Sequence, residues 1–116
     1  MKKKIARKWS AALRSGKYKQ TKTKLRADGE FCAVGVLYEL YRKEKKIPSK
    51  KFWDQFYTED QFYKENTLFK KLQKWAGLRT DDFAWDLYRR FIVVENDRGA
   101  DFNLLADMID DNFDKL

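Results

Sequence analysis

The sequence predicts a mainly α protein: a single small helical domain, residues 1–116, around a buried central helix at about residues 31–45. First, residues 31–38 form an apolar run without a charge, and a segment that is apolar on every side must be surrounded by protein. Second, most other segments place apolar residues three or four positions apart. Third, 116 residues suit one domain that buries a core without disulfides or metal.

The first helix is predicted at residues 2–15. Its apolar residues fall four apart and give one buried stripe: Ile5, Trp9 and Leu13. Gly16 follows as a C-terminal cap. The rest of its surface is cationic, which indicates either a solvated face or a phosphate- or membrane-binding face.

Residues 17–26 read KYKQTKTKLR, and their two-residue alternation and threonines favour an extended segment. A short two-stranded β element is expected at about residues 18–26 and 91–95. The second of these segments contains FIVV, which is rich in β-branched residues. A helix is the alternative for residues 91–95.

The central helix is expected to start at Asp28 or Gly29, with Glu30 in its first turn, where a carboxylate suits the helix dipole. Gly35 lies inside this helix, where glycine lowers helix stability by about 1 kcal/mol relative to Ala. Another backbone or a ligand is therefore expected to approach closely at Gly35. The helix should end near Lys45, where several basic residues gather.

Ser49, after Pro48, is predicted to cap a short helix that runs through Tyr57. Residues 51–64 are rich in aromatic residues and contain DQFY twice, six residues apart. Bases can stack on such rings, but the acids beside them disfavour nucleic acid here. Packing in the core or against a partner is the better interpretation of these aromatic residues.

Three further helices have clear boundary signals. One is predicted at Thr67–Ala76, ended by Gly77 with Leu78 folding back on its last turn. The sequence TDD at residues 80–82 starts the next. ENDRG at residues 95–99 indicates a turn, after which Asp101 caps a final helix with an acidic outer face.

Charge is unevenly distributed along the chain, whose net charge is +8. Residues 1–51 hold 17 Lys and Arg against 4 Asp and Glu, a net of +13, whereas residues 52–116 hold 9 against 14, a net of −5. This asymmetry predicts an anionic partner for the first half. The two halves are alternatively complementary to each other, within one chain or in a homodimer.

Histidine is absent, which excludes Ser-His-Asp and Cys-His nucleophile systems and histidine-containing zinc sites. Cys32 is the one cysteine, so no internal disulfide forms, as suits a reducing cytoplasm. A helix N-terminus favours its thiolate, but a buried structural thiol is the default. We predict no catalytic residue, metal or cofactor. The opening MKKKIARKW lacks the apolar segment of a signal peptide, and no run spans a bilayer, so no membrane partner is expected.

Four motifs lie in order along nearly the whole chain: W-x3-LRSG-x-Y-x-Q at residues 9–20, FC-x2-GVL at residues 31–37, WAGL at residues 75–78, and ND-x-G-x2-F-x3-AD-x-I at residues 96–109. Together they resemble a group of small uncharacterised proteins of bacteriophages and prophages. The aromatic residues 51–64 are not part of this pattern. The resemblance implies a phage accessory protein made in the cytoplasm of an infected bacterial host, and it implies no activity.

The first functional hypothesis is a binding protein without catalysis, active in host takeover or counter-defence, that captures a host protein, a nucleotide or another anionic ligand. Its ligand pocket would gather six polar residues: Arg14, Tyr18, Gln20, Asn96, Asp97 and Arg98. In this pocket Arg14 would hold a phosphate or carboxylate, Tyr18 would stack, and Gln20 with Asn96 would read polar edges. The alternative is that Asn96 and Asp97 only brace a turn.

Two alternatives come from other classes of function. A nucleic-acid-binding module would use residues 2–26, chiefly five cations: Lys17, Lys19, Lys22, Lys24 and Arg26. A solvated, lysine-rich edge strand is the structural explanation of the same residues. A Mg²⁺-dependent hydrolase or nuclease would use Asp81, Asp82 or Asp97, although the first two are also typical helix-start acids.

Overall fold

The computed structural model describes residues 1–55 and 67–116, and it confirms a mainly α fold with a small two-stranded β element. The α-helices are α1 (Lys3–Arg14), α2 (Ala33–Glu44), α3 (Ser49–Trp53), α4 (Thr67–Ala76), α5 (Asp82–Tyr88), α6 (Glu95–Arg98) and α7 (Phe102–Asn112). A π-helix, Arg89–Val94, joins α5 to α6, and a 3-10 turn, Phe113–Lys115, follows α7. The strands are β1 (Arg26–Ala27) and β2 (Glu30–Phe31).

Helix α2 is the centre of the core, as predicted. All residues of 31–39 are buried, and no other described segment of the chain is buried on every side over such a length. Helix α1 lies against it through its predicted stripe, which is buried: Ile5, Trp9 and Leu13. The indole nitrogen of Trp9 donates to the carbonyl of Ala33 over 2.8 Å, which ties α1 to the first turn of α2.

Helices α1 and α7 lie side by side and run antiparallel. Arg14 at the end of α1 contacts Asp107 in α7, while the amino group of Met1 donates to the carbonyl of Leu116 over 2.8 Å. The apolar stripe of α7 is buried, as its spacing predicted: Phe102, Leu105, Ala106 and Ile109. Asp101 caps this helix by accepting a hydrogen bond from the Leu104 amide over 2.8 Å.

The β element lies elsewhere than predicted. Strands β1 and β2 form a hairpin in which Ala27 pairs with Glu30, so Asp28 and Gly29 are the two loop residues. Both have positive φ, 52° and 78°, which matches the Asp-Gly preference of tight hairpin turns. Residues 18–26 contribute only their last residue to this pair, together with a single bridge from Gln20 to Phe31.

Residues 91–95 are helical, so the prediction of a strand there is wrong. They belong to the π-helix and the start of α6, and the predicted turn at 95–99 is a helical turn ended by Gly99 at φ 105°. Burial explains the difference, because Ile92 and Asn96 lie four residues apart and both face the core. The β-branched residues there pack on a helix face, so tertiary contacts override strand propensity.

The start of α2 also differs from the prediction. Glu30 lies in β2, and the helix begins only after Cys32, whose Sγ accepts a hydrogen bond from the Gly35 amide over 3.3 Å. The hairpin therefore occupies the residues that we expected in the first helical turn. The predicted end near Lys45 is confirmed, since Lys45 is the C-cap.

The boundaries of α4, α5 and α7 agree with the predictions. Helix α3, however, ends at Trp53 and not at the predicted Tyr57, and Ser49 is its first residue and not its cap. Helix α4 spans the predicted residues, and the amide of Leu78 folds back to the carbonyl of Gln73 over 3.0 Å. In α3, Phe52 and Trp53 are buried, which confirms core packing for these two aromatic residues. The rest of the aromatic segment, residues 56–64, lies outside the described residues. Among the helices that are described, none combines the length and the apolar character needed to cross a bilayer.

Candidate functional site

Asn96 is the centre of a polar cluster beneath the segment that follows α1. Its side chain is only 1% exposed. Its Oδ1 accepts from Gln20 Nε2 over 2.9 Å and from the Ala33 amide over 3.1 Å, and its Nδ2 donates to the carbonyl of Thr21 over 2.9 Å. This one amide therefore joins α6, the start of α2 and the preceding loop.

Two neighbouring contacts fix the same loop. Gln20 Nε2 also donates to the carbonyl of Ala100 over 2.7 Å. Asp97 Oδ1 accepts from the backbone amide of Thr23 over 2.8 Å, and Thr23 holds a left-handed conformation with φ 66°. The structure thus brings Gln20, Asn96 and Asp97 together, and it uses their polar atoms to hold backbone.

The other residues of the predicted ligand pocket lie in different environments. Arg14 forms ion pairs with Asp107 over 2.5 Å and Asp110 over 2.6 Å. Arg98 is exposed and pairs with Glu95 over 3.5 Å. Within residues 1–55 and 67–116, no hydrogen bond or ion pair joins Arg14 or Arg98 to Gln20 or Asn96.

Tyr18 belongs to an aromatic and cationic layer on the surface of β2. Its ring packs edge-on against Phe31 with centroids 5.4 Å apart, and its hydroxyl accepts from Lys43 Nζ over 3.1 Å. The guanidinium of Arg26 lies 5.7 Å from the Phe31 ring centroid and 5.8 Å from that of Trp53. These cation–π contacts fix Arg26 while leaving it exposed.

We call residues 17–26 the basic loop. It carries five exposed cations: Lys17, Lys19, Lys22, Lys24 and Arg26. None of the five forms an ion pair with an acidic residue in the part of the chain that the structure describes. Its backbone is nevertheless well held, because the Thr21 amide donates to Phe31 O and the Phe31 amide to Lys19 O, each over 2.8 Å.

Cys32 is a structural thiol. It is 4% exposed, and burial raises its pKa to about 12, although the Gly35 and Val34 amides act in the opposite direction. The favourable helix N-terminus is thus outweighed by desolvation, and the thiolate favoured by that position does not form near neutral pH.

Two of the three acidic residues considered for magnesium, Asp81 and Asp97, have structural roles. Asp81 caps α5, and the hydrogen bond from the Ala84 amide, aided by Arg79, lowers the pKa of its carboxyl. Asp97 holds the Thr23 amide. No group of three or more Cys, Asp or Glu side chains suited to a metal ion occurs among the described residues.

Sequence reasoning missed one buried ionic group. Glu39 in α2 is 5% exposed, pairs with Arg42, and accepts from the indole nitrogen of Trp53 over 2.8 Å. The signal was present, because an acid within the most apolar stretch of the chain needs a partner, and an arginine follows three positions later.

Comparison with known families adds one relationship. A family model described as a domain of unknown function (DUF8296) matches residues 1–113. The match covers nearly the whole chain, and this protein therefore belongs to that family. No curated protein and no solved structure matches the chain.

Proposed function

We propose that this protein is a phage-encoded accessory protein that captures an anionic host macromolecule without catalysis, and that this macromolecule is nucleic acid. Phage origin and the host cytoplasm are supported by the resemblance of the four motifs. The nucleic-acid partner is supported by the basic loop.

The observation that carries the proposal is the contrast between the backbone and the side chains of the basic loop. The backbone is fixed by Asn96, Asp97 and Phe31, whereas the five cationic residues are exposed and have no acidic partners among the described residues. Cations held close together repel one another, and phosphates relieve that repulsion. A fixed backbone also lowers the entropy lost when a partner binds.

The same geometry gives less support to a small-ligand pocket around Asn96. The amide groups of Gln20 and Asn96 are occupied by protein partners, and Arg14 is neutralised by two aspartates. A ligand at this place would have to break buried hydrogen bonds before it formed its own.

Fluorescence anisotropy with labelled duplex DNA, single-stranded DNA and RNA tests the proposal. Affinity should fall as salt rises from about 50 to about 200 mM, and contacts from all five cations to duplex DNA would give a log–log slope near −4.5. Replacing Lys19, Lys22 and Lys24 by Glu should abolish binding.

A matched control changes charge by the same amount on exposed lysines elsewhere: Lys71, Lys74 and Lys115, each replaced by Glu. This control should retain binding to within a few-fold. Equal losses in the two triple variants, or no binding of wild type to any of the three nucleic acids at low salt, would refute the nucleic-acid proposal.

A further inference from the structure

A second cationic surface lies in a groove between α1 and α7, and none of the residues of the basic loop lines it. The groove has a volume of about 670 Å³. Six of its lining residues come from α1, and two come from α7 and the turn after it; those with polar or aromatic side chains are Lys3, Arg7, Ser10, Arg14, Asp110 and Phe113. The α1 residues are three or four positions apart and so share one face of the helix.

The charges in this groove divide into a neutralised pair and two free cations. Arg14 is paired with Asp110 over 2.6 Å and with Asp107 outside the groove. Lys3 and Arg7 are exposed and form no ion pair with any acid of residues 1–55 or 67–116. The groove therefore offers two neighbouring positive side chains, four residues apart.

Asp110 keeps Arg14 in place. Partial burial would raise the pKa of its carboxyl, but the nearby Ser10 hydroxyl and the Arg14 guanidinium, with a smaller effect of Arg7, hold that pKa below its usual value. The carboxylate thus stays ionised near neutral pH. Arg14 is accordingly committed to Asp110, and Arg7 is the guanidinium whose donors are available to a ligand.

Part of the groove wall is apolar. Phe113 is half-buried and packs against the core, and small side chains of α1 at Ala6 and Ala11 leave space beside it. A groove of this volume falls within the range of small-molecule sites, which combine apolar walls with a few placed polar groups. Its two free positive charges complement a phosphate monoester, which carries close to two negative charges at pH 7.

We infer that this groove binds a mononucleotide, with its phosphate between Lys3 and Arg7 and its base against Phe113. The site uses none of the residues of the basic loop, so it goes beyond the proposed nucleic-acid surface. Residues of either surface can therefore be substituted without altering the other surface.

Titration of the isotopically labelled protein with AMP, followed by NMR, tests this inference. AMP should shift amide signals of residues 3–14 and 110–113, and Arg7→Gln should weaken binding about tenfold or more, since it removes a charged hydrogen-bond donor. Lys4→Gln is the matched control: it removes one charge from the exposed surface of α1 but does not line this groove, so affinity should stay within about twofold.

Two further ligands separate the parts of the site. Adenosine should bind much more weakly than AMP, and inorganic phosphate should bind more weakly than AMP because it lacks the base. Phe113→Leu should weaken the binding of AMP but not that of phosphate.

The inference fails if AMP causes no shifts of amide signals, if Lys4→Gln weakens AMP binding as much as Arg7→Gln does, or if phosphate binds as tightly as AMP. The Lys19, Lys22 and Lys24 triple variant should retain AMP binding, so failure here is distinct from failure of the nucleic-acid proposal.

Discussion

The carbonyl group of Leu25 lies against Gly35 so closely that a Cβ atom on Gly35 would be 2.8 Å from the Leu25 carbonyl carbon, and closer still to its oxygen. The same oxygen accepts a hydrogen bond from the Cys32 amide over 3.2 Å. The end of the basic loop therefore crosses α2 in direct backbone contact. Glycine is required here by the neighbouring chain, as its cost inside a helix indicated.

Gly35→Ala should destabilise the protein by several kcal/mol, although Ala is intrinsically better in a helix by about 1 kcal/mol. The added methyl group meets backbone atoms that cannot move aside without displacing the loop. Urea unfolding measures the effect. Gly16→Ala is the comparison: its φ is 75° but nothing lies within 4 Å of the new Cβ, so a loss of only about 1 kcal/mol is expected. Similar losses in the two variants would contradict this account.

Asn96→Ala should cost about 3 kcal/mol or more of unfolding free energy, because it removes the partners of the Ala33 amide and the Thr21 carbonyl in a buried place. Thermal unfolding and hydrogen exchange of the Ala33 amide measure it. Asn103→Ala, on the exposed face of α7, is the control and should change stability by less than about 0.5 kcal/mol. Unchanged exchange at Ala33 would show that the Asn96 contact does not protect that amide.

Cys32 should make stability depend on alkaline pH. The folded thiol has a pKa of about 12 against an ordinary value of 9.0, so the folded state keeps a proton that the unfolded state releases. This contribution is complete below pH 9 and is lost as pH rises from about 9 toward 12, by about 1.4 kcal/mol per pH unit. Cys32→Ser, which does not titrate, is the reference.

Urea unfolding of wild type and Cys32→Ser at pH 8, 9, 10 and 10.5 isolates the contribution of the thiol to the unfolding free energy, because both proteins share the same lysines and tyrosines. The wild type should lose stability relative to the variant only above about pH 9. Parallel curves for the two proteins across this range would mean that the thiol ionises equally in the folded and unfolded states.

Glu39→Ala should destabilise by about 3–5 kcal/mol, because it leaves the mostly buried guanidinium of Arg42 without its carboxylate and removes the acceptor of the Trp53 indole. The double variant Glu39→Leu with Arg42→Leu should be less destabilised than Glu39→Ala, since no charge then stays buried. Chemical denaturation of both variants tests this order. The reverse order would contradict the prediction and would mean that the ion pair itself stabilises the fold.

Apolar periodicity was sufficient to predict most of the helical architecture. The stripe of Trp9 and its neighbours, the charge-free run of α2 and the cap at Asp101 each rest on local sequence, and each is found where it was expected. These features were predictable because burial and capping act over one or two helical turns.

The errors involve contacts that are distant in sequence or turn signals that were not used. The Asp-Gly pair at residues 28–29 was a hairpin signal that we assigned to a helix start. The helical state of residues 91–95 depends on burying Asn96 beneath Thr21, some 75 residues earlier, which no local pattern contains. The neutralisation of Arg14 by Asp107 and Asp110 is likewise a contact between the two ends of the chain.

The π-helix at Arg89–Val94 determines which side of α6, the helix that follows it directly, faces the core. An α-helix turns by about 100° per residue, and a π-helix turns by less because its hydrogen bonds span five residues instead of four. Winding the same six residues as an α-helix would therefore rotate α6 by roughly one residue's turn. Asn96 would then face solvent, and the four backbone and side-chain groups that converge on it would lose their common anchor. A family member that is one residue shorter here is expected to have an ordinary α-helix in this segment and to keep its anchor facing the loop.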